Sequence, residues 1–415
     1  MIYTATTFRG LAAILDLQRH CNILHVVKTP SHTSVRRWIN QVGYYNLLKP
    51  KENAGDWLYL IDNMIRIENR KICLILGARL SKLKKGKCLT YEDLEPIGIW
   101  VFTKNSDLEA MIEEAIAITG VPYQICSDEG PDVMPSIRKI LAKYSEVKHV
   151  PDIMHKTGNM LKKKLEDDPR WKSFITSVNN SKRRLCQSSL SFMCPPNLRG
   201  KSRFLNCQHV LEWANRALST LEEMNNTDPN WQMMFEKLGW LMECKQDLAL
   251  FTELFRLAAV AKEVVRKLHI ESNLWKVVEK LFEVEAQSDE GKLFAKVIVD
   301  FLKVQCKKAE GGLRLVGISE IIESAFSKLK LLDRECGSSG FTLSVLGLAA
   351  CFGATDYKSV AKAFEEVNPK DVTAWGREHI GETIQKKRRR VLRFKKTIDL
   401  GPELERFIEG ELMAV

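Results

Sequence analysis

Two aspartates and a glutamate stand where a phosphoryl-transfer site would need them. Asp62 sits in the strand-like run Trp57-Leu-Tyr-Leu-Ile-Asp-Asn. Asp128 closes a second run, Tyr123-Gln-Ile-Cys-Ser-Asp, just before a glycine that turns the chain towards a helix. Asp128 lies 66 residues after Asp62, and Glu323 follows 195 residues later in the helical segment Ser319-Glu-Ile-Ile-Glu-Ser-Ala-Phe. Attack on a phosphodiester by water or a 3′-hydroxyl is served by two divalent ions about 3.5–4 Å apart, which activate the nucleophile and stabilise the leaving oxygen. Mg²⁺ or Mn²⁺ takes hard oxygen ligands and keeps some waters, so a few carboxylates suffice. Adjacent strand ends can bring Asp62 and Asp128 together, and a helix crossing the sheet can present Glu323. Without the ions, three acids so close would raise one another's pKa.

Each of these residues also has a plainer reading. Asp62 could be a turn residue of a hairpin, and Asp128 could cap the helix that follows it. Glu320 competes with Glu323 from a neighbouring helix face. It sits in the first turn, however, where the helix dipole alone favours an acid. Glu323 borders an apolar stripe of Ile322, Ala325, Phe326 and Leu329, so it is the acid expected to face the sheet. A fifth strand ends in Asp152-Ile-Met-His155. An i, i+3 pair would put both side chains on one helical face, with His155 positioning the scissile phosphate or Asp152 assisting. The plainer reading is an N-cap aspartate beside a partly exposed histidine.

The elements that must hold these groups follow from the apolar period. Trp57–Asn63, a turn at Glu68-Asn-Arg, and Lys71–Ala78 predict a strand hairpin, and Pro96–Thr103 a third strand. A helix over 106–119, a strand over Tyr123–Ser127, a helix over 132–144 and a strand over Val147–Pro151 complete a β-β-β-α-β-α-β order. That order predicts an α/β RNase H-like mixed-sheet core with helices on its faces. Residues 153–318 contain no convincing strand. Amphipathic stretches over 204–224, 232–270, 272–286 and 291–308 predict a large all-α insertion, which holds five of the nine tryptophans. These tryptophans read as core; Trp171, Trp231 or Trp240 could instead stack on an unpaired base. The expected organisation is a helix-turn-helix-like segment over 1–55, core over 56–166, the all-α insertion over 167–318, closing helices over 319–385 and a basic tail over 386–415.

With 415 residues, 45% apolar and 28% charged, the chain is globular and long enough for two to four domains. A net charge of +11 points to a polyanion partner. Residues 1–55 carry seven Lys or Arg against two acids. Ser31 can cap a second helix there, with Val35, Trp38, Ile39 and Val42 on one face and Gly43 as a stop; a plain helical hairpin packed on the next domain fits the same pattern. The eleven cysteines include no CxxC pair and read as reduced thiols. Cys194, Cys207 and His209 lack the second half of a zinc ligand set. The N-terminus is not a signal peptide, and no apolar run reaches the roughly 18 residues of a membrane helix. A soluble, cytoplasmic, nucleoid-associated protein that does not engage a membrane is expected.

His149–Lys164, Pro196–Phe204, Lys237–Leu241 and Ser319–Lys330 together resemble blocks of the bacterial insertion-sequence transposases of the DDE type. The resemblance spans about residues 57–395, and Asp152-x-x-His155 is similar to the C/D-x-x-H motif of several of their superfamilies. It implies Asp62, Asp128 and Glu323 as catalytic metal ligands for two Mg²⁺ or Mn²⁺ ions, with His155 beside them. It also implies cleavage at element ends and strand transfer, with terminal-repeat and target duplex DNA as partners and a homodimer or higher oligomer on the DNA. Phosphate contacts would come from Arg36, Arg37, Lys162, Lys163, Lys164, Arg199, Lys201, Arg203 and the run 386–396, where eight of eleven residues are basic. Family members often carry a longer N-terminal region than this chain, the pattern of a truncated or decayed copy. An RNase H-fold nuclease without strand transfer and a decayed or domesticated DNA-binding protein are the alternatives.

Overall fold

The computed structural model describes residues 6–65, 70–84, 86–198, 207–224, 231–334, 341–353 and 356–392. Two helices come first, α1 (Phe8–His20) and α2 (His32–Leu48); the Ser31 hydroxyl caps α2 by accepting the Ser34 N–H at 3.2 Å. Strands β1 (Trp57–Ile65), β2 (Lys71–Arg79) and β3 (Glu95–Phe102) follow, then α3 (Asp107–Thr119), β4 (Gln124–Ser127), α4 (Met134–Lys143) and β5 (Lys148–Pro151). The expected turn at Glu68-Asn69 lies outside the described residues. One sheet results, ordered β3-β2-β1-β4-β5, with β1 antiparallel to β2, β2 antiparallel to β3, and β4 and β5 parallel to β1 and β4 respectively. Helices α3 and α4 make the crossovers that parallel strands require. The mixed sheet in this order is RNase H-like.

Both faces of the sheet are dry, which is why the β1 and β2 runs are apolar almost without alternation. Tyr59 and Ile61 pack with Leu108, Ile112 and Ile137 under α3 and α4. Leu58, Leu60 and Leu74 point the other way, towards Ile322, Ala325, Phe326 and Leu329. Asp62 shares the face of Leu58 and Leu60 by the two-residue period of a strand.

The chain then leaves the sheet through α5 (Ile153–Leu165), α6 (Pro169–Leu185), α7 (Cys207–Glu223), α8 (Trp231–Leu238), α9 (Trp240–Glu243), α10 (Lys245–Leu268), α11 (Leu274–Glu285) and α12 (Asp289–Cys306). These helices share one core that begins at Val150 and Ile153 and ends at Ile318. Trp171 sits inside it, edge-on to Phe251 at 5.0 Å and stacked on Phe255 at 5.8 Å, so it cannot meet a nucleic-acid base. The only strand-like contact of this region among the described residues is an antiparallel bridge between Ile270 and Leu315.

Helices α13 (Glu320–Arg334), α14 (Leu346–Ala350), α15 (Tyr357–Glu366), α16 (Pro369–Trp375) and α17 (Ile384–Leu392) close the fold. α13 covers the Leu58 and Leu60 face of the sheet with its apolar stripe. α2 differs from expectation in two ways. Gly43 does not stop it; the glycine lies mid-helix, where a Cβ would stand 1.9 Å from the Leu346 carbonyl oxygen, so its bareness serves the contact with α14. Trp38 is not on the buried stripe but 42% exposed, near Phe364 of α15. Val42 and Tyr45 form a small core with Leu346, Ala350 and Ala363. No helix among the described residues is long and apolar enough to cross a membrane.

Candidate active site

The parallel ladder of β1 and β4 pairs Leu60 with Cys126 and Ile61 with Ser127. The ladder ends there; Asp62 and Asp128 each follow its last pair by one residue, and the Asp128 carboxylate is close enough to raise the Asp62 pKa. Leu60 and Cys126 share a core cluster on the face under α13, which is also the face of Asp62, and Asp128 follows Cys126 by two residues just past the end of β4. Asp62 is mid-strand in β1 and thus no hairpin turn residue. Asp128 does not cap α4, whose N-cap position is Val133; its Oδ1 accepts the Gly130 N–H at 3.3 Å within a local turn.

Glu323 lies in the first turn of α13, above this pair. Its Oε1 accepts a hydrogen bond from His155 Nε2 at 2.8 Å. Glu320 turns away instead, to Lys262 of α10 at 3.6 Å. Electrostatics tie the group together. Burial first, then the Asp128 carboxylate and more weakly Glu323, push Asp62 up to about 7. Burial also raises Asp128, against the opposing pull of His155. The hydrogen bond to Glu323, helped by Asp152, Glu323 and Asp128, lifts His155 to about 9. An imidazolium therefore stands among the carboxylates at neutral pH.

Would a divalent ion suit this donor set? A carboxyl that holds its proton to about pH 7 beside a second acid is a site short of positive charge, and its oxygens are the hard ligands Mg²⁺ and Mn²⁺ prefer. Asp62 and Asp128 fit on those grounds, with Glu323 as the third acid. As the side chains stand, no three His, Cys, Asp or Glu among the described residues converge on one ion-sized point. The Glu323 carboxylate is engaged by His155. The Cys194 thiol lies 3.5 Å from that of Cys186.

No protein-family model matches the chain, and no curated protein is similar to it in sequence. Among solved structures it is similar to a Drosophila P element transposase strand transfer complex, at 10% identity and a TM-score of 0.39, over 85% of this chain and 93% of that one. The HTLV-2 integrase catalytic core domain in complex with magnesium is similar in a trimeric form, at 15% identity and a TM-score of 0.16, over 45% of this chain and 97% of that one. A dimeric form of the same core is similar at 16% identity and a TM-score of 0.16, over 31% and 90%.

The remaining sequence candidates scatter. Arg36 and Arg37 are exposed on α2. Lys162, Lys163 and Lys164 end α5, where cations suit the helix C-terminus. Lys162 pairs with Glu166 at 3.6 Å and Lys164 with Glu290 at 2.5 Å. Arg199, Lys201 and Arg203 lie outside the described residues, as do 393–396 of the basic run.

Sequence reasoning missed the supports beneath the site. Gln124, fully buried on β4, brackets Val316 with its amide; Oε1 accepts the Val316 N–H at 2.9 Å and Nε2 donates to the Val316 carbonyl. The Ile153 N–H donates to Gly317 O at 2.8 Å. A polar residue in an otherwise apolar strand was the available signal for Gln124, because buried amides must find partners.

Proposed function

We propose that this protein is a transposase of the DDE type, which cuts duplex DNA at element ends and joins the ends to target DNA in a metal-dependent reaction. What supports the reading most is that Asp62 and Asp128 each stand one residue past the Ile61–Ser127 pair of the β1–β4 ladder, with Asp128 and Glu323 both near enough to raise the Asp62 pKa. Two bound Mg²⁺ or Mn²⁺ ions would activate the attacking oxygen and stabilise the leaving one, with Asp62, Asp128 and Glu323 as the residues to hold them.

The chain's own groups supply the rest. The middle of β1 and the end of the neighbouring β4 would hold the two carboxylates in place, so little reorganisation is needed when charge develops. His155, whose Nε2 meets the Glu323 carboxylate in this structure, would turn to a phosphate oxygen of the scissile bond once Glu323 holds a metal. Apolar packing of α13 on the sheet keeps water from one side of the cluster. Arg36, Arg37, Lys162, Lys163 and the basic 386–396 run would hold the DNA backbone, and a homodimer or higher oligomer would pair two ends.

Asp128→Asn tests this reading. Cleavage of element-end duplex in Mg²⁺ or Mn²⁺ should fall by about a thousandfold or more, a loss of roughly 4 kcal/mol in transition-state stabilisation. Duplex binding should persist or tighten, because a negative charge near the phosphates is gone. Unchanged cleavage would falsify the catalytic role. A pre-cut end with a free 3′-hydroxyl separates a transposase, which joins it to a second duplex, from a nuclease, which does not.

A further inference from the structure

Asp152 is 1% exposed, and its two carboxylate oxygens serve different parts of the chain. Oδ1 accepts the backbone N–H groups of Met154 at 2.7 Å and His155 at 3.0 Å, capping α5. Oδ2 accepts both the N–H and the hydroxyl of Ser319, at 2.5 and 2.7 Å, immediately before α13 begins. One side chain thus joins the start of the helix carrying His155 to the start of the helix carrying Glu323, across 167 residues of chain. An ordinary capping aspartate does less. Asp168, the N-cap of α6, accepts the Arg170 N–H at 2.8 Å and binds the Arg170 side chain, all within its own first turn.

We infer, on the basis of the metal-dependent reading above, that Asp152 is a positioning residue that sets Glu323 and His155 against the two sheet aspartates. It does this without touching substrate, since it is buried beneath the helix starts. A cap alone would fix α5; the second pair of hydrogen bonds fixes α13 to it. The insertion lies between the two helices in sequence, so no short loop can set their spacing. Together with the Gln124 bracket on Val316, this carboxylate holds the returning chain to the sheet before Glu323 is reached.

Calorimetric titration of the full chain with Mn²⁺ alone tests the inference without any DNA. Asp152→Ser keeps a capping oxygen for α5 but cannot reach Ser319. Ser319→Ala leaves the α5 cap whole and removes one bond of the clamp. Asp168→Ser is the control for loss of a capping aspartate elsewhere. Mn²⁺ affinity should fall roughly 10–100-fold in Asp152→Ser, as for other residues that orient metal ligands. It should fall by a smaller factor in Ser319→Ala and stay unchanged in Asp168→Ser. Should Asp152→Ser not fold, Ser319→Ala alone decides. If both clamp variants bind Mn²⁺ like the wild type while Asp128→Asn and Glu323→Gln do not, Asp152 is only a cap and the inference is overturned with the metal reading intact. If the wild type binds no Mn²⁺, or Asp128→Asn binds it equally well, both fall together.

Discussion

Two halves of the candidate site are held by different physics. Asp62 rides in the middle of β1 and Asp128 just past the end of the neighbouring β4, on a sheet whose ladders and two buried faces anchor them. Glu323 and His155 ride on helices that meet only after the chain has traversed the insertion, and a handful of polar contacts at Gln124, Asp152 and Ser319 set their approach. The sheet half is fixed by backbone ladders, whereas the approach of α5 to α13, beyond the apolar packing of each helix, rests on a few polar contacts. A single substitution should therefore loosen the second half without harming the first. The hydrogen bond of Glu323 to His155 fits that division, since it is this half that departs from the sheet aspartates.

The largest effect expected in the helical half sharpens the contrast within one helix. Glu323→Gln should lower metal-dependent cleavage about a hundredfold or more, a loss of roughly 3 kcal/mol. Glu320→Gln should stay within about threefold, because its carboxylate is half exposed and its partner Lys262 stands 3.6 Å away; such pairs are worth ~0–1 kcal/mol. Single-turnover cleavage of both variants decides. Equal losses, or a larger loss for Glu320→Gln, would mean that α13 presents the other face when DNA is bound.

Next comes the pH dependence of stability in metal-free protein. Asp62 titrates at about 7 in the fold rather than the ordinary 3.8, so burial penalises its charged form. That penalty is absent below about pH 4, where the carboxyl is protonated in both states, and grows until about pH 7. His155 is raised from 6.5 to about 9, so its stabilising proton is fully in place below 6.5 and lost as pH rises through about 9. Both slopes have the same sign. Stability should decline from pH 4 to 9 by a few kcal/mol, and Asp62→Asn should flatten the part below pH 7. Added Mn²⁺ should raise the melting temperature more at pH 8 than at pH 5, because protons compete with the metal at the lower pH. Calorimetric scans across pH check this. A wild-type profile as flat as that of Asp62→Asn would show that the sheet half carries no stored repulsion.

Much of the sheet half is legible in the sequence. Its strands are largely apolar runs, one carrying Asp62 within Trp57–Asn63 and one ending on the acid at Tyr123–Asp128. Their shared face follows from the strand period alone. The helical half is legible only as patterns. Glu323 can be preferred over Glu320 from the stripe beside it, yet nothing local says that His155 would reach it across 168 residues of separation. Asp152 reads as a cap or a helper to catalysis; its second oxygen finds Ser319 only in three dimensions. Gly43 reads as a helix stop because a glycine's usual local role is to end a helix, whereas here a distant backbone, that of Leu346, decides its use.

The smallest effect concerns the exposed arginines of α2. Val42 and Tyr45 dock this helix against α14 and α15, so its outer residues can change without loosening it. Arg36→Ala with Arg37→Ala should move stability by no more than about 0.5 kcal/mol, as for other surface changes. If both side chains bind phosphates, the slope of log affinity against log salt should fall by close to two units, about 0.9 for each phosphate no longer neutralised. Mn²⁺ binding at the carboxylates should not change, since neither arginine belongs to the cluster. Fluorescence anisotropy with element-end and random duplexes across a salt series distinguishes the outcomes. An equal loss on both duplexes assigns the arginines to general backbone binding, and a larger loss on the ends assigns α2 to end recognition. No loss on either would leave α2 with packing as its task, and DNA binding would then have to come from the lysines at the end of α5 and from the basic run at α17.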